Sequence, residues 1–296
     1  MDPSGFGGQT MAAPLRRALV ATPDVAGWSR PEEAGRWQEL GYRRPPDAAA
    51  AREQHLALCA RLEEASVRIE HLAPGSGLTP DAVYTHDASL TTDRGMILLR
   101  PGKVARRDEP ARHADRFREI GVPVRGAIRE PGTAEGGDLV WLDPATLLAG
   151  RGYRTNPDGI EQLREMLEPD GVTVVEAALP HGEGPGACLH LMSLMSVLDD
   201  TTLLVDLSAL AVPTVELLRG RGRRLLAIDP AERGTMACNV LALGDGRLLA
   251  LEENPRTNRG LREAGFDVRT FPGSELAQNG GGGPTCLTRP LHRDDG

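Results

Sequence analysis

The sequence predicts an α/β protein made of five similar ββαβ-type units, because one local pattern recurs along the chain. A helix-like stretch leads to a short β-branched strand, then a polar loop, then a pair of apolar runs. The five short strands begin at Val67, Val122, Val172, Leu225 and Val268, roughly 43 to 55 residues apart. Repeats of this length are typical of propeller-like arrays. Five units that close into a ring predict a five-bladed α/β propeller with a central funnel, and an α/β protein without symmetry is the alternative.

The helix-like stretches justify the α part of this prediction, since most of the short strands follow an amphipathic segment. These segments are Ala51–Ala65, Arg107–Ile120, Asn156–Leu167 and Thr257–Ala264. Asn156 and Asn258 stand where we expect N-caps, because the asparagine side chain can accept a hydrogen bond from a free helical N–H group.

The paired apolar runs justify the remaining strands, because turn-forming residues separate the two members of each pair. The predicted pairs are Ala82–Leu90 with Met96–Arg100, Asp138–Leu142 with Thr146–Ala149, Leu191–Leu198 with Thr202–Asp206, and Met236–Leu243 with Arg247–Leu251.

Length and charge limit the classes of protein. The chain has 296 residues, and we expect a disordered tail over residues 1–14 followed by a single α/β-propeller catalytic domain over 15–296. Aromatic residues make up only 3%, so Leu, Val and Ala must build the core. A formal net charge of −8 disfavours nucleic acid as a partner and is compatible with a cationic small molecule.

The rarer residue types exclude several chemistries. Lys103 is the only lysine, so a Schiff base could form nowhere else, and no P-loop motif occurs. The four cysteines show no CxxC spacing and no metal-ligand pattern, which favours a reduced, cytoplasmic protein. The sequence shows neither a signal peptide nor an apolar run near the ~18 residues of a membrane span.

The residues able to perform chemistry fall in the loops that would converge at the centre of the ring. They are Asp81, Asp87, Glu135, Asp138, His190, Cys238 and Cys286. This convergence predicts a functional site there.

Cys286 is the candidate nucleophile because it follows Gly280–Gly283, where a glycine run permits a close backbone approach. The alternative is a buried strand cysteine after a flexible loop. His190 begins an apolar run, so it is either a catalytic acid–base group or a core histidine. Its place in its repeat matches that of Glu135 and Cys286.

Carboxylates near these residues suit a cationic ligand. Glu135 could orient His190 or hold a cation, and a guanidinium group, with five N–H donors in one plane, would match several convergent carboxylates such as Asp81 and Asp87. Turn formation is the alternative for all three acids. Arg106 and Arg154 could pair a carboxylate, or lie on the surface as most arginines do.

A set of motifs in order resembles the dimethylarginine dimethylaminohydrolases, a family of the guanidino-group modifying (pentein) superfamily. The motifs are Pro80–Asp87, Arg100–Arg107, Pro131–Asp138, Arg154–Asn156, His190-Leu191, Ala237–Asn239 and the glycine-rich approach to Cys286. They cover most of the chain from about Arg17 to Leu291. The resemblance implies the five-bladed α/β propeller of that superfamily.

The resemblance also implies roles for single residues. Cys286 would be the nucleophile, His190 the proton donor and later the base, and Glu135 their support. The substrate-binding residues would be Asp81 and Asp87 for its nitrogen-bearing groups, Arg106 and Arg154 for its α-carboxylate, and Gly280 through its backbone, with His86 beside Asp87.

Three features depart from the family pattern. His86 stands where the family usually has an acid, and Met192 stands where Lys or Asp usually follows the His-Leu pair. The segment Val25–Pro46, with Trp28, Trp37 and Tyr42, is longer than the expected lid. The sequence around Cys286 is also similar to that of arginine dihydrolases and deiminases.

The resemblance implies hydrolysis of Nω-methylated arginine to citrulline and methylamine or dimethylamine, through a covalent thiouronium and without a metal or organic cofactor. Arginine deiminase, dihydrolase or amidinotransferase activity is the alternative within the fold. A non-catalytic propeller that binds a macromolecule is an alternative of another class. The expected partner is a small cationic guanidino compound, neither nucleic acid nor membrane, and a homodimer is compatible with the sequence.

Overall fold

The computed structural model describes residues 5–294, which form five three-stranded sheets. The sheets, in chain order, are β3 (Ser89–Thr92), β4 (Gly95–Leu98) and β5 (Val124–Ala127); β6 (Leu139–Asp143), β7 (Thr146–Arg151) and β8 (Thr173–Ala178); β9 (Met195–Val197), β10 (Thr202–Val205) and β11 (Arg224–Ala227); β12 (Leu241–Gly244), β13 (Arg247–Leu251) and β14 (Asp267–Phe271); and β15 (Arg289–Arg293), β1 (Leu15–Val20) and β2 (Arg68–His71). The predicted α/β propeller with five repeats is confirmed.

Each sheet has the same order of connections. In the second blade β6 and β7 are antiparallel, with Leu139 opposite Ala149, and β7 and β8 are parallel, with Leu148 opposite Val175. A tight turn suffices for the antiparallel pair, whereas the parallel strand needs a crossover, which a helix supplies. The ββαβ order predicted from the repeat follows from this requirement.

The two ends of the chain build the fifth blade together. The C-terminal strand β15 pairs antiparallel with the N-terminal β1, with Leu19 opposite Arg289, and β1 pairs in parallel with β2, with Ala18 opposite Ile69. This pairing explains why no local hairpin follows the last short strand of the sequence. It also closes the ring.

The helices are α1 (Pro31–Ala34), α2 (Ala48–Glu64), α3 (Glu109–Glu119), α4 (Pro157–Leu167), α5 (Val212–Gly220) and α6 (Pro255–Glu263). Asn156 caps α4 as predicted and accepts a hydrogen bond from the Gly159 N–H group. Asn258 was expected to cap the last helix and does not. It lies inside α6, whose N-cap position is Asn254, and its side chain donates to the Leu251 carbonyl.

Residues 5–14 differ from the expected disordered tail, whose first four residues lie outside the described part of the chain. Gly7 exchanges backbone hydrogen bonds with Leu291 and Arg293 of β15, at 2.9 and 3.0 Å. Gly8, at a φ of 103°, leaves a Cβ position only 2.7 Å from Arg293 Cβ, so this close approach requires glycine. Sequence patterns missed this segment because backbone pairing, not side-chain pattern, holds it against β15.

Short 3₁₀ turns come before the first strand of four blades in the described residues, and in three of them the turn overlaps the predicted apolar run. The run Ala82–Leu90 was expected to be extended, but the turns Pro80–Val83 and Thr85–Ala88 occupy most of it and β3 begins only at Ser89. Pro80 fixes φ at the start of the first turn.

The first strands of the blades surround the ring axis. The Thr91 hydroxyl of β3 donates to the Pro290 carbonyl of β15, and the Trp141 indole of β6 donates to the Thr91 carbonyl. The Ser196 hydroxyl of β9 donates to the Cys238 carbonyl just before β12. Buried Leu, Val and Ala fill most of the core around these strands, as the composition required.

Within residues 5–294, we find no helix with the length and apolar character to cross a membrane.

Candidate active site

Each of the five blades places a polar side chain at the same end of the ring, a few residues before its first strand. The five are Asp87 before β3, Glu135 before β6, His190 before β9, Asn239 before β12 and Cys286 before β15. All five side chains are buried. The predicted convergence of loops is therefore seen in the structure, with Asn239 in place of the expected Cys238.

His190 and Glu135 form the central hydrogen bond of this site, at 2.7 Å between Nε2 of His190 and Oε2 of Glu135. The other ring nitrogen, Nδ1, lies 3.9 Å from Oδ1 of Asp87 and 3.7 Å from the thiol sulfur of Cys188. Burial alone would lower the pKa of His190, but Cys188, Asp87 and Asp138 outweigh it and raise this pKa well above its usual value. The histidine is thus an imidazolium with a proton to give.

The carboxylate of Glu135 stays ionised beside this imidazolium. Burial raises its pKa, whereas the hydrogen bond and charge of His190 and the charge of Arg154 lower it, and the net shift is downward. Its second oxygen, Oε1, accepts the backbone N–H of Lys103 at 3.1 Å and lies 3.6 Å from NH1 of Arg154. Glu135 is thereby fixed from three sides.

Cys286 lies in the turn that leads into β15, and its sulfur accepts a hydrogen bond from Nδ2 of Asn239 at 3.2 Å. Burial raises the pKa of this thiol to about 11, while the positive charge of His190 opposes the rise. A Cβ added to Gly282 would lie 2.5 Å from the ring of Tyr84 and 3.0 Å from Cys286 Cβ. The glycine run therefore lets the loop pass between the tyrosine and the nucleophile.

Cys238 takes no part in the site, contrary to the sequence expectation. Its sulfur points to the Leu204 carbonyl at 3.6 Å, and burial raises the pKa of its thiol well above the usual value. The adjacent Asn239 faces Cys286 instead, and its Oδ1 accepts the backbone N–H of Thr285 at 3.0 Å. The motif Ala237–Asn239 indicated the right segment, but the sequence interpretation selected the thiol of Cys238 and not the neighbouring Asn239.

Arg106 was expected to bind a carboxylate of the substrate, and in the described structure its guanidinium is paired with groups of the protein. Its guanidinium donates to Glu109 at 2.8 and 2.7 Å, to Asp87 at 2.5 Å and to the Tyr84 carbonyl at 2.9 Å. Only 3% of the residue is exposed, so little of the group faces a ligand. Arg106 positions Asp87, whose other oxygen accepts the Gly137 backbone N–H at 2.8 Å.

Asp87 is ionised in this arrangement. Burial raises its pKa, but the charges of His190 and Arg106 lower it further, to a value well below the usual range. Asp87 therefore presents a fixed negative charge close to the imidazolium.

Asp81 lies beside this cluster but is already paired with a cation. Its Oδ2 is 2.5 Å from Nζ of Lys103. The sequence suggested Asp81 as a ligand for substrate nitrogen, whereas Lys103 received attention only as the sole lysine. No local pattern links two residues that meet through a loop in this way.

Arg154, His86 and Gly280 complete the set of predicted residues. Arg154 faces Glu135 and makes one long hydrogen bond, 3.5 Å, to the Ala187 carbonyl, so it remains a candidate receptor for a carboxylate. His86 bonds through Nδ1 to the Thr288 carbonyl at 2.9 Å, and burial lowers its pKa well below the usual value. It is neutral and holds the loop of Cys286, since its backbone N–H also donates to the Cys286 carbonyl at 3.1 Å. Gly280 packs against the hydroxyl of Tyr84 and the ring of Tyr42.

Asp138 holds the backbone next to His190, and the sequence analysis did not predict this role. Its carboxylate accepts the Leu191 backbone N–H at 3.0 Å and the Thr155 hydroxyl at 2.7 Å. Burial raises the pKa of Asp138 to about 6. It therefore fixes the backbone next to His190.

A metal could in principle use part of this cluster, because ligand atoms of Asp87, Glu135 and His190 lie within 4.8 Å of one another. An imidazolium carries protons on both nitrogens and cannot bind a metal. In the described structure Nε2 of His190 is hydrogen-bonded to Glu135 at 2.7 Å instead.

A buried cysteine, an imidazolium and fixed carboxylates at the centre of a five-bladed α/β propeller define the class: the guanidino-group modifying, or pentein, enzymes. The family model described as arginine deiminase matches residues 63–220 and 209–293. The chain belongs to this family, and the resemblance to the dimethylarginine dimethylaminohydrolases within the same superfamily is confirmed by its relatives.

Two curated relatives illustrate the spread of the family. An N(G),N(G)-dimethylarginine dimethylaminohydrolase of Streptomyces coelicolor is 34% identical over 188 residues, which are 64% of this chain and 66% of that protein. An arginine deiminase of Mycobacterium avium is 32% identical over 251 residues, which cover 73% of this chain and 61% of the deiminase. The chain thus spans about two thirds or less of the length of both.

Solved structures agree on the fold. The dimethylarginine dimethylaminohydrolase of Pseudomonas aeruginosa, a cysteine-to-serine variant complexed with citrulline, matches with a TM-score of 0.76 and 25% identity over 94% of this chain and all of that one. An amidinotransferase from Microseira wollei has a TM-score of 0.81 at 17% identity, over 98% of each chain, and shows the fold alone.

Proposed function

We propose that the protein hydrolyses a guanidino compound through a covalent thiouronium at Cys286, with Nω,Nω-dimethylarginine or monomethylarginine as the substrate and citrulline plus dimethylamine or methylamine as products. The observation that carries this proposal is the 2.7 Å hydrogen bond between His190 and Glu135 in the buried cluster that contains Cys286. The named Streptomyces and Pseudomonas relatives support the choice of substrate.

The first step requires the thiolate, since this is the nucleophilic form. The thiol is protonated in the free protein because burial raises its pKa to about 11. A bound guanidinium beside Cys286 would favour the thiolate by Coulomb attraction, so the thiol proton passes to bulk water as the cation enters and is taken up again after the product leaves. The fixed charge of Asp87 would hold that cation through charge-assisted hydrogen bonds.

Bond exchange then follows. The thiolate attacks the guanidinium carbon, and the C–N bond to the substituted nitrogen breaks while His190 gives its proton to the departing amine. The product of this step is a cationic S-alkyl thiouronium on Cys286, next to a neutral His190. Glu135 stabilises the imidazolium before transfer and orients the ring afterwards.

Water completes the reaction. His190 takes a proton from a water molecule as its oxygen attacks the thiouronium carbon, and the C–S bond breaks to regenerate the thiolate. The remaining hydroxyl proton goes to the released amine, which leaves as an ammonium ion. The ureido product is neutral, so its release removes the charge that favoured the thiolate.

Arginine deiminase activity is the second candidate, because the matching family model and the Mycobacterium avium relative bear that name. The two reactions differ only in the nitrogen that leaves. The same cysteine, histidine and carboxylates would serve both.

The experiment incubates the purified protein separately with asymmetric dimethylarginine and with arginine, and measures citrulline and the released amine. Citrulline with dimethylamine, lost in a Cys286→Ser variant, would support the proposal. Citrulline with ammonia from arginine would favour the deiminase. The absence of both products would refute the substrate assignment.

A further inference from the structure

Lys103 occupies a position between the active site and the segment of residues 25–46. Its ammonium nitrogen lies 2.5 Å from Oδ2 of Asp81 and 2.5 Å from the backbone carbonyl of Leu40. Its backbone N–H meanwhile donates to Glu135, the partner of the catalytic histidine. One residue therefore contacts the catalytic carboxylate with its backbone and a second carboxylate with its side chain.

Asp81 and the Leu40 carbonyl form a receptor suited to a primary ammonium group. An ammonium has three donors, and a carboxylate with a carbonyl opposite it offers two strong acceptors. Asp81 is only 3% exposed, and the indole N–H of Trp28 donates to the preceding Pro80 carbonyl at 3.0 Å. The segment that supplies Leu40 thus also packs over the turn that supplies Asp81.

The distance of this receptor from the reaction centre is about one lysine side chain. The backbone of Lys103 touches Glu135 and its tip touches Asp81, so the side chain spans the gap between them. An α-amino acid with a side-chain guanidinium carries two cationic groups separated by a flexible chain. The site offers carboxylates at both ends of a comparable span.

We propose that Lys103 is the resident cation of the Asp81–Leu40 receptor, and that the ammonium group of an arginine-type substrate must displace it. This rests on the proposed function, since that function supplies a substrate with an ammonium group. Two ammonium groups cannot share the receptor, so the affinity for such substrates is reduced by the fraction of time that Lys103 occupies it. A guanidino acid without the ammonium group escapes this competition.

Lys103 is therefore a specificity-determining residue. It weakens the binding of substrates that carry an ammonium group and leaves the binding of desamino substrates unchanged, so the two classes differ less in affinity. Displacement would also remove its hydrogen bond to the Leu40 carbonyl. Entry of an arginine-type substrate thereby releases one tether of the segment of residues 25–46, and a desamino substrate leaves that tether in place.

A binding experiment tests the competition. In a Cys286→Ser background, calorimetry gives the dissociation constants of arginine and of 5-guanidinopentanoate, which lacks the α-ammonium. Lys103→Met keeps the backbone bond to Glu135 and removes the ammonium. We expect the affinity ratio to shift about tenfold in favour of arginine, which corresponds to a receptor that Lys103 fills about nine tenths of the time.

Arg107→Met is the matched control, because Arg107 is an exposed cation in the same loop and its side chain makes a long hydrogen bond, 3.4 Å, to the Pro101 carbonyl. It should leave the ratio of the two affinities within twofold of the parent. An unchanged ratio in Lys103→Met, or a shift toward the desamino ligand, would overturn the proposal.

A labelling experiment keeps the inference testable if no guanidino ligand binds. Since Lys103 is the only lysine, an amine reagent such as acetic anhydride modifies one side chain, which peptide mapping separates from the N-terminus. We expect Asp81→Asn to speed this modification about tenfold, and arginine to speed it in the parent. Failure of both ligands to bind would defeat the proposed function, whereas equal labelling of parent and Asp81→Asn would defeat the resident cation.

Discussion

Nε2 of His190 and Oε2 of Glu135 lie 2.7 Å apart, although the two residues come from consecutive blades and neither is more than 3% exposed. A buried ion pair of this kind couples the protonation of both groups. The imidazolium would be costly at this depth without the carboxylate. The ion pair therefore keeps on His190 the proton that the leaving amine needs.

Removal of this carboxylate charge should move the pH dependence of the reaction. In Glu135→Gln we expect kcat to fall at least about 100-fold, the order of a general acid–base contribution. The hydrogen bond and charge of His190 lower the pKa of Glu135, so by reciprocity the loss of the Glu135 charge should lower the pKa of His190 and move the alkaline limb of the kcat profile to lower pH. A pH–rate profile on the substrate of the wild-type enzyme measures both effects.

Glu119→Gln serves as the control, because Glu119 is an exposed acid that pairs with Arg116 on α3. It should leave the profile in place. A Glu135→Gln enzyme with the wild-type alkaline limb would contradict the ion pair as the source of the proton.

The hydrogen bond from Asn239 to Cys286 should tune the nucleophile. Asn239→Asp keeps the oxygen that accepts the Thr285 N–H group but places a negative charge 3.2 Å from the sulfur. A hydrogen bond to a charged group contributes about 1.5–3 kcal/mol, so we expect the thiol pKa to rise by about one to two units. The measurement is the pH dependence of iodoacetamide alkylation of Cys286, read by mass spectrometry.

The half-buried thiol of Cys59 on α2, outside the cluster that contains Cys286, is the internal standard for that experiment. Its alkylation should follow the same pH curve in both proteins. If the two Cys286 curves also coincide, the hydrogen bond from Asn239 does not control the pKa of the Cys286 thiol.

The sequence predicted the blades better than the contacts between them. Short β-branched strands and capped helices are local features, and four of the five blades are contiguous in the chain, so their period is visible. The fifth blade joins β15 to β1 across the whole length of the chain. A local pattern cannot reveal such a pairing, and the role of residues 5–14 was missed for the same reason.

The site was predictable where a residue's chemistry is rare and its place in the repeat is regular. Cys286, His190 and Glu135 meet both conditions. Lys103 and Arg106 do not, because their roles depend on partners reached through loop geometry: Asp81 for the lysine, and Asp87 with Glu109 for the arginine. Cys238 lies in a turn that the Asn239 N–H group closes onto the Met236 carbonyl at 3.0 Å, and the turn leaves Asn239, not Cys238, facing the sulfur.

Asp138 should make the stability of the protein fall as pH rises. Its pKa is about 6 in the folded state, above the ~3.9 of an unfolded aspartate, so the folded state holds the proton more tightly between these values. Stability from this group is thus present below pH ~4 and lost as pH rises through about 6, by up to about 3 kcal/mol.

Urea unfolding of wild type and Asp138→Asn at pH 4 and pH 7 measures this effect. The amide can still accept the Leu191 N–H group but cannot ionise. We therefore expect the variant to gain stability relative to wild type as pH increases. Parallel stability profiles would show that Asp138 does not titrate in this range.

Arg106 and Arg154 should respond differently to the same substitution. Arg106→Met would leave Asp87 and Glu109 buried without their cation, and breaking a buried pair in this way costs about 3–5 kcal/mol of unfolding free energy. Arg154→Met removes a cation that lies 3.6 Å from Glu135 and makes one long side-chain hydrogen bond, so stability should change by less than about 1 kcal/mol.

If Arg154 receives the substrate carboxylate, its loss should weaken binding of arginine to the Cys286→Ser protein by at least about tenfold, since a charge-assisted contact contributes about 1.5–3 kcal/mol. Urea unfolding and calorimetry separate the two effects. Two results would reverse these roles. One is a large stability loss with Arg154→Met, and the other is an Arg106→Met protein that stays stable and has lost only carboxylate binding.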